Sequence, residues 1–307
     1  MAISNSLNSG VTAVKAFGKS LEVIGDNIAN VNTTGFKGSR VTNQDNFSQT
    51  FERSAAGPNG SNSMQIGSGT SVASISQQFT QGVLSTTGGP TDLGIAGKGF
   101  FQVKNPSTNE TLYTRAGDFI LDDQGSLLTN DGYNVQGYNY GVTNASTLPV
   151  TTATSTLGSL QIPPTILSGT DQYTLQSFAI DNNGELKASY SGINTTSGAT
   201  ATVPTRTVTI GQITLAEFGN PNALEKIGGN LLKSNTAAGL IATVVPTGAG
   251  LLPKQTSQIK QGTLELSNVD LTKEFSELIV AQRSFQAGAR IITVSDSVLE
   301  EVVNLKR

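Results

Sequence analysis

The sequence predicts a multidomain protein that combines α-helices with mainly β structure, and three observations lead to this fold class. Apolar residues repeat at heptad spacing over residues 3–31 and again over residues 271–303. Between these ends, short apolar and aromatic runs alternate with Gly, Asn and Asp, which is typical of β-strands joined by turns. A stretch rich in Thr, Ser, Gly and Pro, residues 142–204, interrupts the β region and predicts a small inserted β domain.

The N-terminal segment carries the first heptad seam, a row of apolar positions separated alternately by four and three residues. Its members are Ile3, Leu7, Gly10, Val14, Phe17, Leu21, Ile24, Ile28 and Val31. Such a row lies along one face of an α-helix and packs against a partner helix.

The C-terminal segment carries a matching seam. Its members are Leu271, Phe275, Leu278, Gln282, Phe285, Ala289, Ile292, Asp296, Leu299 and Val303. Gln282 and Asp296 are its polar members, and a polar residue at a core position fixes the register of a helix pair. A single helix of this kind commonly packs on the body of its own domain. Two matched seams favour an antiparallel pair, which makes the terminal domain discontinuous in sequence.

A second apolar stripe lies beside the C-terminal seam. Its members are Val280, Ala287, Ile291, Val294, Val298 and Val302. One partner helix covers a narrow stripe and not a face this broad. We therefore expect both helices to complete their burial against neighbouring copies, so that the chain polymerises. The predicted self-assembly residues are Ile3, Leu7, Val14, Phe17, Leu21, Ile24, Ile28, Val31, Phe275, Leu278, Phe285, Ala289, Ile292, Leu299 and Val303.

The stretch NIANVNTTGFKGSR, residues 27–40, predicts an abrupt end to the first helix. Asn30 and Asn32 suit a helix C-terminus because Asn tolerates the left-handed backbone conformation. Gly35 permits a positive φ, and Phe36 follows as an apolar anchor. The alternatives are an ordinary helix stop with a packed aromatic ring and a fixed elbow that redirects the chain.

Two short sequence patterns, which we call echoes, each occur twice between the terminal helices. The pattern F-x-[LI]-D-x-x-G-x-L occurs at 119–127 and at 178–186, and each copy predicts a β-hairpin with a D-x-x-G turn. QGVL at 81–84 and QGTL at 261–264 indicate two passages of the chain through one junction. The predicted domains are a discontinuous helical coiled-coil domain (1–34 and 268–307), linker or elbow segments (35–72 and 255–267), a β body (73–141 and 205–254) and the inserted β domain (142–204).

Composition excludes several classes of function. The 307 residues contain no Cys and no His, which removes disulfides, thiolate nucleophiles, imidazole bases and the commonest transition-metal ligands. A net charge of −3 with only 13% charged residues argues against nucleic-acid binding. No apolar run is long enough to cross a bilayer, and the chain shows no charged leader followed by an apolar stretch. We expect no cofactor and no bound metal.

Several acidic residues and one glycine-rich stretch are candidates for catalysis or for ligand and metal binding. The acidic turns that contain Asp122 and Asp123 are an alternative reading as calcium ligands, but they lack the spacing of a calcium loop. Asp118 near these turns and the pair Glu300 and Glu301 are the candidate acids, without an evident cleft or matched partner. The glycines of GIAGKGFF, residues 94–101, lack the Lys-Ser/Thr of a phosphate loop. We therefore predict that the chain is not an enzyme.

Both ends and the body resemble the axial proteins of the bacterial flagellum, the rod and hook family. The resemblance is carried by VIGDNIANVNTTGFKGSR at the N-terminus, by QGTLELSNVDLTKEFSELIVAQRSFQAGARIITVSDSVLEEVVNLKR at the C-terminus, and by GQITLAEFGNPNALEKIGGN in the body. It covers about two thirds of the chain and is weak over 142–204. Asp26 and Gly288 depart from the family pattern, where Asn is common at both positions.

The resemblance implies a tubular helical polymer in which terminal helices line a channel and β domains stack outside. SNVDLTKE and VVNLKR look hook-like, so the resemblance implies a subunit of the flagellar hook, a flexible universal joint, with a distal rod subunit as the alternative. It also implies rod, hook-cap and hook–filament junction proteins as partners, an extracellular location, and type III export without a cleavable signal peptide. Phe47 and Phe51 resemble a short export motif, whose alternative is a packed strand or turn.

A reading from a different class is a sugar-binding β domain on a coiled-coil stalk, as in phage fibres. That reading predicts a stable small oligomer with affinity for glycans. Aromatic residues are only 6% of the chain, which disfavours it because sugar platforms are built from exposed aromatic rings.

Overall fold

The computed structural model describes residues 2–52, 64–140, 157–168, 171–194, 202–244 and 257–305. The chain folds into two compact units. The first unit comprises Met1–Val31, Lys37–Gln78 and Val269–Arg307, and the second comprises Asn32–Phe36 and Phe79–Asn268. The first contains helices from both ends of the chain and the second is built mainly of β-strands, which confirms the predicted fold class.

The first unit consists of two long helices and a set of paired strands. Its elements are α1 (Ala2–Ala29), β1 (Ser39–Asp45), β2 (Ser48–Glu52), β3 (Met64–Gly67), β4 (Thr70–Gln77) and α2 (Leu271–Leu305). β1 pairs with β4 and β2 pairs with β3, both antiparallel. The segment 35–72, predicted as a linker, thus contributes strands to the same unit as the helices.

The start of α2 is set by a side-chain cap. The carboxylate of Asp270 accepts hydrogen bonds from the backbone N–H groups of Thr272 (2.9 Å) and Lys273 (3.4 Å). These groups have no partner within the helix, so an acceptor at this position stabilises the first turn.

The second unit contains the remaining strands. They are β5 (Leu84–Thr86), β6 (Leu93–Ala96), β7 (Phe100–Lys104), β8 (Thr111–Thr114), β9 (Phe119–Leu121), β10 (Leu127–Thr129), β11 (Asn134–Asn139), β12 (Leu157–Ser159), β13 (Thr165–Ser168), β14 (Asp171–Ile180), β15 (Glu185–Asn194), β16 (Thr202–Ile213), β17 (Leu215–Phe218), β18 (Glu225–Gly228), β19 (Leu231–Lys233), β20 (Leu240–Val244), β21 (Gln258–Gln261) and β22 (Thr263–Glu265). Short 3-10 turns occur at Pro221–Ala223 and Thr236–Ala238.

One antiparallel sheet dominates the described part of this unit. Its main path runs β13-β14-β15-β16-β11-β7-β8-β19-β18, and β21 and β22 pair separately with β6 and β5. Strand β7 is buried over most of its length. Phe101 of β7 and Phe119 of β9 meet edge to face with ring centroids 5.1 Å apart, within a core that extends to Tyr190 and Ile213. An aromatic pair of this geometry adds to the stabilisation from burial alone.

The two predicted D-x-x-G hairpins are confirmed. Gly125 N–H donates to the Asp122 carbonyl at 2.8 Å and Gly184 N–H donates to the Asp181 carbonyl at 2.7 Å. Both glycines have positive φ, +79° and +77°, which a residue with a side chain adopts at a cost. The flanking strands pair as β9–β10 and β14–β15.

The body and the predicted inserted domain share one sheet in the described residues. β16 pairs with β15 on one side and with β11 of the body on the other. Residues 142–156, 169–170 and 195–201 of the predicted insertion lie outside the described residues. The boundary of a separate outer domain at 142–204 therefore stays a prediction.

Candidate functional site

The two terminal helices pack antiparallel, as the matched seams predict. The Ser6 hydroxyl lies 3.2 Å from the Ser295 hydroxyl at one end of the pair. At the other end the Asn27 amide donates to the Glu274 carboxylate at 3.1 Å. Early residues of α1 thus meet late residues of α2, and late residues of α1 meet early residues of α2.

Two glycines let the helix backbones approach closely. A methyl group placed on Gly288 would lie 3.1 Å from Val14 Cγ2 and 3.5 Å from the Gly10 carbonyl oxygen. A methyl group on Gly10 would lie 3.0 Å from Ile292 Cγ1. Both glycines are buried. The helix pair is therefore spaced by small residues at its centre.

The residues that α2 buries differ from the predicted seam: at every second seam position, the preceding residue is buried instead. Ala281, Gly288 and Ser295, each seven residues apart, are its buried residues. The prediction that Gln282 and Asp296 lie in the seam is wrong, because both are exposed. Because small side chains let α1 approach closely, α1 packs on the residues that come one position before the predicted seam residues. Leu278, Phe285 and Ile292 are half-buried, as expected of seam members.

The other predicted self-assembly residues divide by exposure. On α1, Ile24 is buried, and the half-buried ones are Leu7, Val14, Phe17, Leu21, Ile28 and Val31. On α2, Ala289 is half-buried, while Phe275 (51%), Leu299 (38%) and Val303 (66%) are exposed. The side chain of Ile3 lies outside the described residues.

The second stripe of α2 is exposed along its whole length. It comprises Val280, Ala287, Ile291, Val294, Val298 and Val302, which we call the α2 stripe. Val280 is 64% exposed and Val294 is 60% exposed. From Val280 to Val302 a helix rises by about 33 Å at 1.5 Å per residue. An exposed row of apolar side chains of this length is a candidate interaction surface.

A shallow apolar pocket opens beside this stripe within the first unit. Its lining residues are Phe17, Ser20, Ile24, Ser276, Glu277, Val280 and Ala281. The pocket thus extends the exposed surface of α2 onto α1.

The elbow follows α1 as predicted, but its glycine and its asparagines act differently. Asn30 and Asn32 do not have positive φ, so the predicted left-handed conformation is wrong for both. Instead, the Asn30 amide donates to the Asp26 carbonyl at 2.9 Å and closes the last turn. Gly35 does have positive φ, +69°, and a methyl group there would lie 2.6 Å from the Ala116 nitrogen.

Phe36 is the apolar anchor that the sequence predicts. Its ring is 3% exposed, and the ammonium of Lys226 lies 4.5 Å from the ring centroid. Asn230 donates a side-chain hydrogen bond to the carbonyl of Thr34 at 2.8 Å. The elbow segment is thus fixed to the β unit by burial, a cation–π contact and a hydrogen bond.

A buried ion pair in the second unit was missed by sequence reasoning. Arg115 Nη1 lies 2.6 Å from Glu265 Oε2, and both side chains are almost fully buried. The guanidinium also donates to the carbonyls of Gly99 (2.6 Å) and Gly97 (2.5 Å). In the sequence, Arg115 and Glu265 lie in the stretches TRAGDF and QGTLEL, neither of which carries a pattern that predicts an ion pair.

The segments that contain the two QG echoes pair with each other in antiparallel orientation. β5 begins at the end of QGVL and pairs with β22, which lies within and after QGTL. Leu84 pairs with Glu265, and Leu266 N–H donates to the Val83 carbonyl at 2.9 Å. The predicted double passage through one junction is confirmed.

The remaining candidate acids lie at separate positions in the structure. Burial, together with the charges of Asp92 and Asp131, raises the pKa of Asp118 above its ordinary value. The Asp122 carbonyl and carboxylate close a turn, and Glu300 is exposed on α2. Among the described residues, no group of three or more Asp and Glu side chains is placed to hold a metal ion.

The two aromatic residues of the export-like pattern lie in and beside β2. Phe47 is 95% exposed and immediately precedes this strand. Phe51 belongs to β2, and its side chain lies outside the described residues. Separately, no helix in the described ranges combines the length and the apolar character that a bilayer span requires.

Three sequence families match the chain. Residues 7–37 match "Flagella basal body rod protein", residues 94–188 match "Flagellar hook protein FlgE/F/G D1 domain", and residues 260–305 match "Flagellar basal body rod FlgEFG protein C-terminal". The matched segments contain the elbow, both D-x-x-G hairpins and the α2 stripe.

Relatives named as rod proteins align over nearly the whole chain. Flagellar basal-body rod protein FlgG of Bacillus subtilis is 41% identical, and the alignment covers 98% of this chain and 99% of the relative. FlgG of Caulobacter vibrioides is 32% identical with the same coverage. Flagellar hook protein FlgE of Treponema pallidum is 27% identical over an alignment of 468 positions, covering 98% of this chain and 99% of the relative.

Proposed function

The chain belongs to the flagellar basal-body rod and hook protein family, and from this premise we propose that it is a rod subunit, of the distal part of the rod, that assembles with copies of itself. Members of the family are structural proteins of the flagellar axis, so the chain is not an enzyme.

Full-length similarity is the observation that favours a rod subunit over a hook subunit. The rod-named relatives match end to end at the length of this chain, whereas the hook-named relative needs an alignment of 468 positions. A separate inserted domain at 142–204 would suit a hook subunit better than a rod subunit. The strands described there continue the sheet of the body, which favours the shorter rod-like organisation.

Self-assembly is supported by the α2 stripe. Within one copy, α1 covers the face that contains Ala281, Gly288 and Ser295, and the stripe remains exposed. We infer that the helices of a second copy cover it. Burial of apolar side chains drives such an association, and valine and isoleucine each contribute about 1.5–3 kcal/mol when fully buried.

We also propose binding partners and an export route on the basis of membership in the rod and hook family. We expect contacts with neighbouring rod and hook subunits and passage through the type III export apparatus. Phe47 is a candidate recognition residue because its ring is almost fully exposed. Phe47→Ala should reduce secretion of the chain, whereas Ile75→Ala, which removes another exposed apolar side chain of the same unit, should not. Equal secretion of both variants would remove Phe47 from this role.

Electron microscopy of basal bodies from a null mutant tests rod against hook. A rod subunit predicts loss of the distal shaft together with everything outside it. A complete rod that lacks only hook and filament would overturn the proposal and restore the hook reading.

A further inference from the structure

Glu265 is a point of convergence in the second unit. Its carboxylate accepts hydrogen bonds from Arg115 Nη1 at 2.6 Å and from Gly82 N–H at 2.8 Å. Its backbone carbonyl accepts a hydrogen bond from Gly35 N–H at 2.7 Å. One residue thus joins three segments that are far apart in the sequence. We call this group of contacts the Glu265 node.

Three members of the node, Gly35, Gly82 and Glu265 itself, lie in the segments that connect the two units along the chain. Gly35 belongs to the short piece Asn32–Phe36, Gly82 follows the start of the second unit at Phe79, and Glu265 precedes its end at Asn268. Every connection between the terminal helices and the β unit therefore leads, within four residues, to a group that bonds to Glu265.

Neighbouring hydrogen bonds reinforce the same junction. Leu266 N–H donates to the Val83 carbonyl at 2.9 Å. The Asn268 amide donates to the Thr80 hydroxyl at 2.8 Å and to its carbonyl at 3.2 Å. The outgoing and the returning segment are thus held together on both sides of the node.

Arg115 attaches the node to the body sheet. Its guanidinium uses three different nitrogens for Glu265, Gly99 and Gly97, and lies 5.7 Å from the ring centroid of Phe100. A guanidinium held by several acceptors has little freedom to rotate. Since the pair is buried, solvent and salt screen its electrostatic attraction much less than they screen that of a surface pair.

We propose that Glu265 and Arg115 are positioning residues for assembly, which fix the connecting segments to the body and thereby set the bending stiffness of the polymer. A shaft transmits torque only if each body is held firmly to the helices that polymerise. The proposal rests on the proposed self-assembly. It adds that stiffness depends on a buried ionic node and not only on the contacts between copies.

The test compares the full-length chain with Glu265→Gln, which keeps the shape of the side chain and removes its charge. Polymers of both are imaged by electron microscopy, and persistence length is measured from their curvature. We expect Glu265→Gln to polymerise and to give a lower persistence length. Val135→Ala, which weakens the buried core of the same unit without changing a residue of the node, is the matched control. Equal softening by both variants, or none by Glu265→Gln, would overturn the proposal.

Amide hydrogen exchange in the monomer provides a second readout that does not need polymers. In Glu265→Gln the Gly82 N–H should exchange about tenfold faster or more, because its charge-assisted hydrogen bond to the carboxylate becomes a weaker bond to a neutral amide. Unchanged protection at this amide would contradict the node even if no variant polymerises. A wild-type chain that never polymerises would instead count against the proposed function, while the exchange result still tests the node.

Arg115→Lys is the alternative if Glu265→Gln does not fold. It keeps the positive charge and removes the fork that reaches Gly97 and Gly99, so the same softening and faster exchange are expected. Failure of both variants to fold would mean that the pair only holds the β unit together, and would overturn the assembly role.

Discussion

The guanidinium of Arg115 and the carboxylate of Glu265 lie 150 positions apart in the sequence and 2.6 Å apart in space. Each side chain is at most 6% exposed. Because removal of one charge leaves the other buried and uncompensated, Arg115→Met should lower the free energy of unfolding by about 3–5 kcal/mol. Urea denaturation followed by circular dichroism measures this loss.

A double variant and a surface pair serve as controls for that prediction. Arg115→Met combined with Glu265→Leu should regain part of the stability, since no charge is then left buried. The exposed pair Lys233 and Glu110 has a similar separation of 2.5 Å. Glu110→Gln should change stability little, because solvent screens that pair. A loss as large as that of Arg115→Met would refute the role given to burial.

The α2 stripe predicts a selective effect on polymerisation. Val294→Asp places a charge in the stripe and should abolish polymer formation, measured by sedimentation. The monomer should keep its helical circular dichroism signal, because Val294 is 60% exposed. Ser297→Asp adds the same charge to an exposed polar position of α2 outside the stripe and should still polymerise. Loss of assembly in both variants would attribute the effect to charge alone.

Two glycines of the helix pair should respond in opposite directions to added side chains. Gly25→Ala should stabilise α1 by about 0.5–1 kcal/mol, because nothing lies within 4 Å of the added methyl group and Ala favours helix. Gly288→Val should cost about 1–3 kcal/mol, because the site already contacts Val14 and Gly10 closely. Thermal unfolding followed by the helical signal distinguishes the two. Stabilisation by Gly288→Val would contradict the close packing.

Tyr190 predicts a change of stability at alkaline pH. Burial raises the pKa of its hydroxyl from 10.0 to about 12, and the hydroxyl donates to the Pro163 carbonyl at 2.9 Å. The higher pKa in the folded state adds to the free energy of unfolding. This contribution is complete below pH 10 and is lost as the pH rises toward 12. The free energy of unfolding should therefore fall over that interval, and more steeply than in Tyr190→Phe. Parallel curves for the two proteins would contradict this.

Local patterns in the sequence predict a large part of the fold. The heptad rows locate both helices, and each D-x-x-G pattern locates a hairpin, because their signals lie within a few neighbouring residues. Gly35 and Phe36 are recognisable for the same reason, since a positive φ and an anchoring ring are properties of single positions.

Features that depend on contacts between distant segments are not predictable in this way. The register of the helix pair follows Ala281, Gly288 and Ser295, whose small side chains give a weak periodic signal while allowing close approach. The pairing of Arg115 with Glu265 has no local pattern at all. The order of strands around β16, β11 and β7 likewise depends on which chain segments meet during folding.

The pairing of β5 with β22 has a consequence for the evolution of this chain. Since Leu84 and Glu265 are neighbours, the whole stretch between them begins and ends at one place. Such a module can be enlarged, trimmed or exchanged for another with adjacent termini while the flanking segments keep their course. The β unit can thereby change in size or content while the sequences of the two terminal helices stay the same.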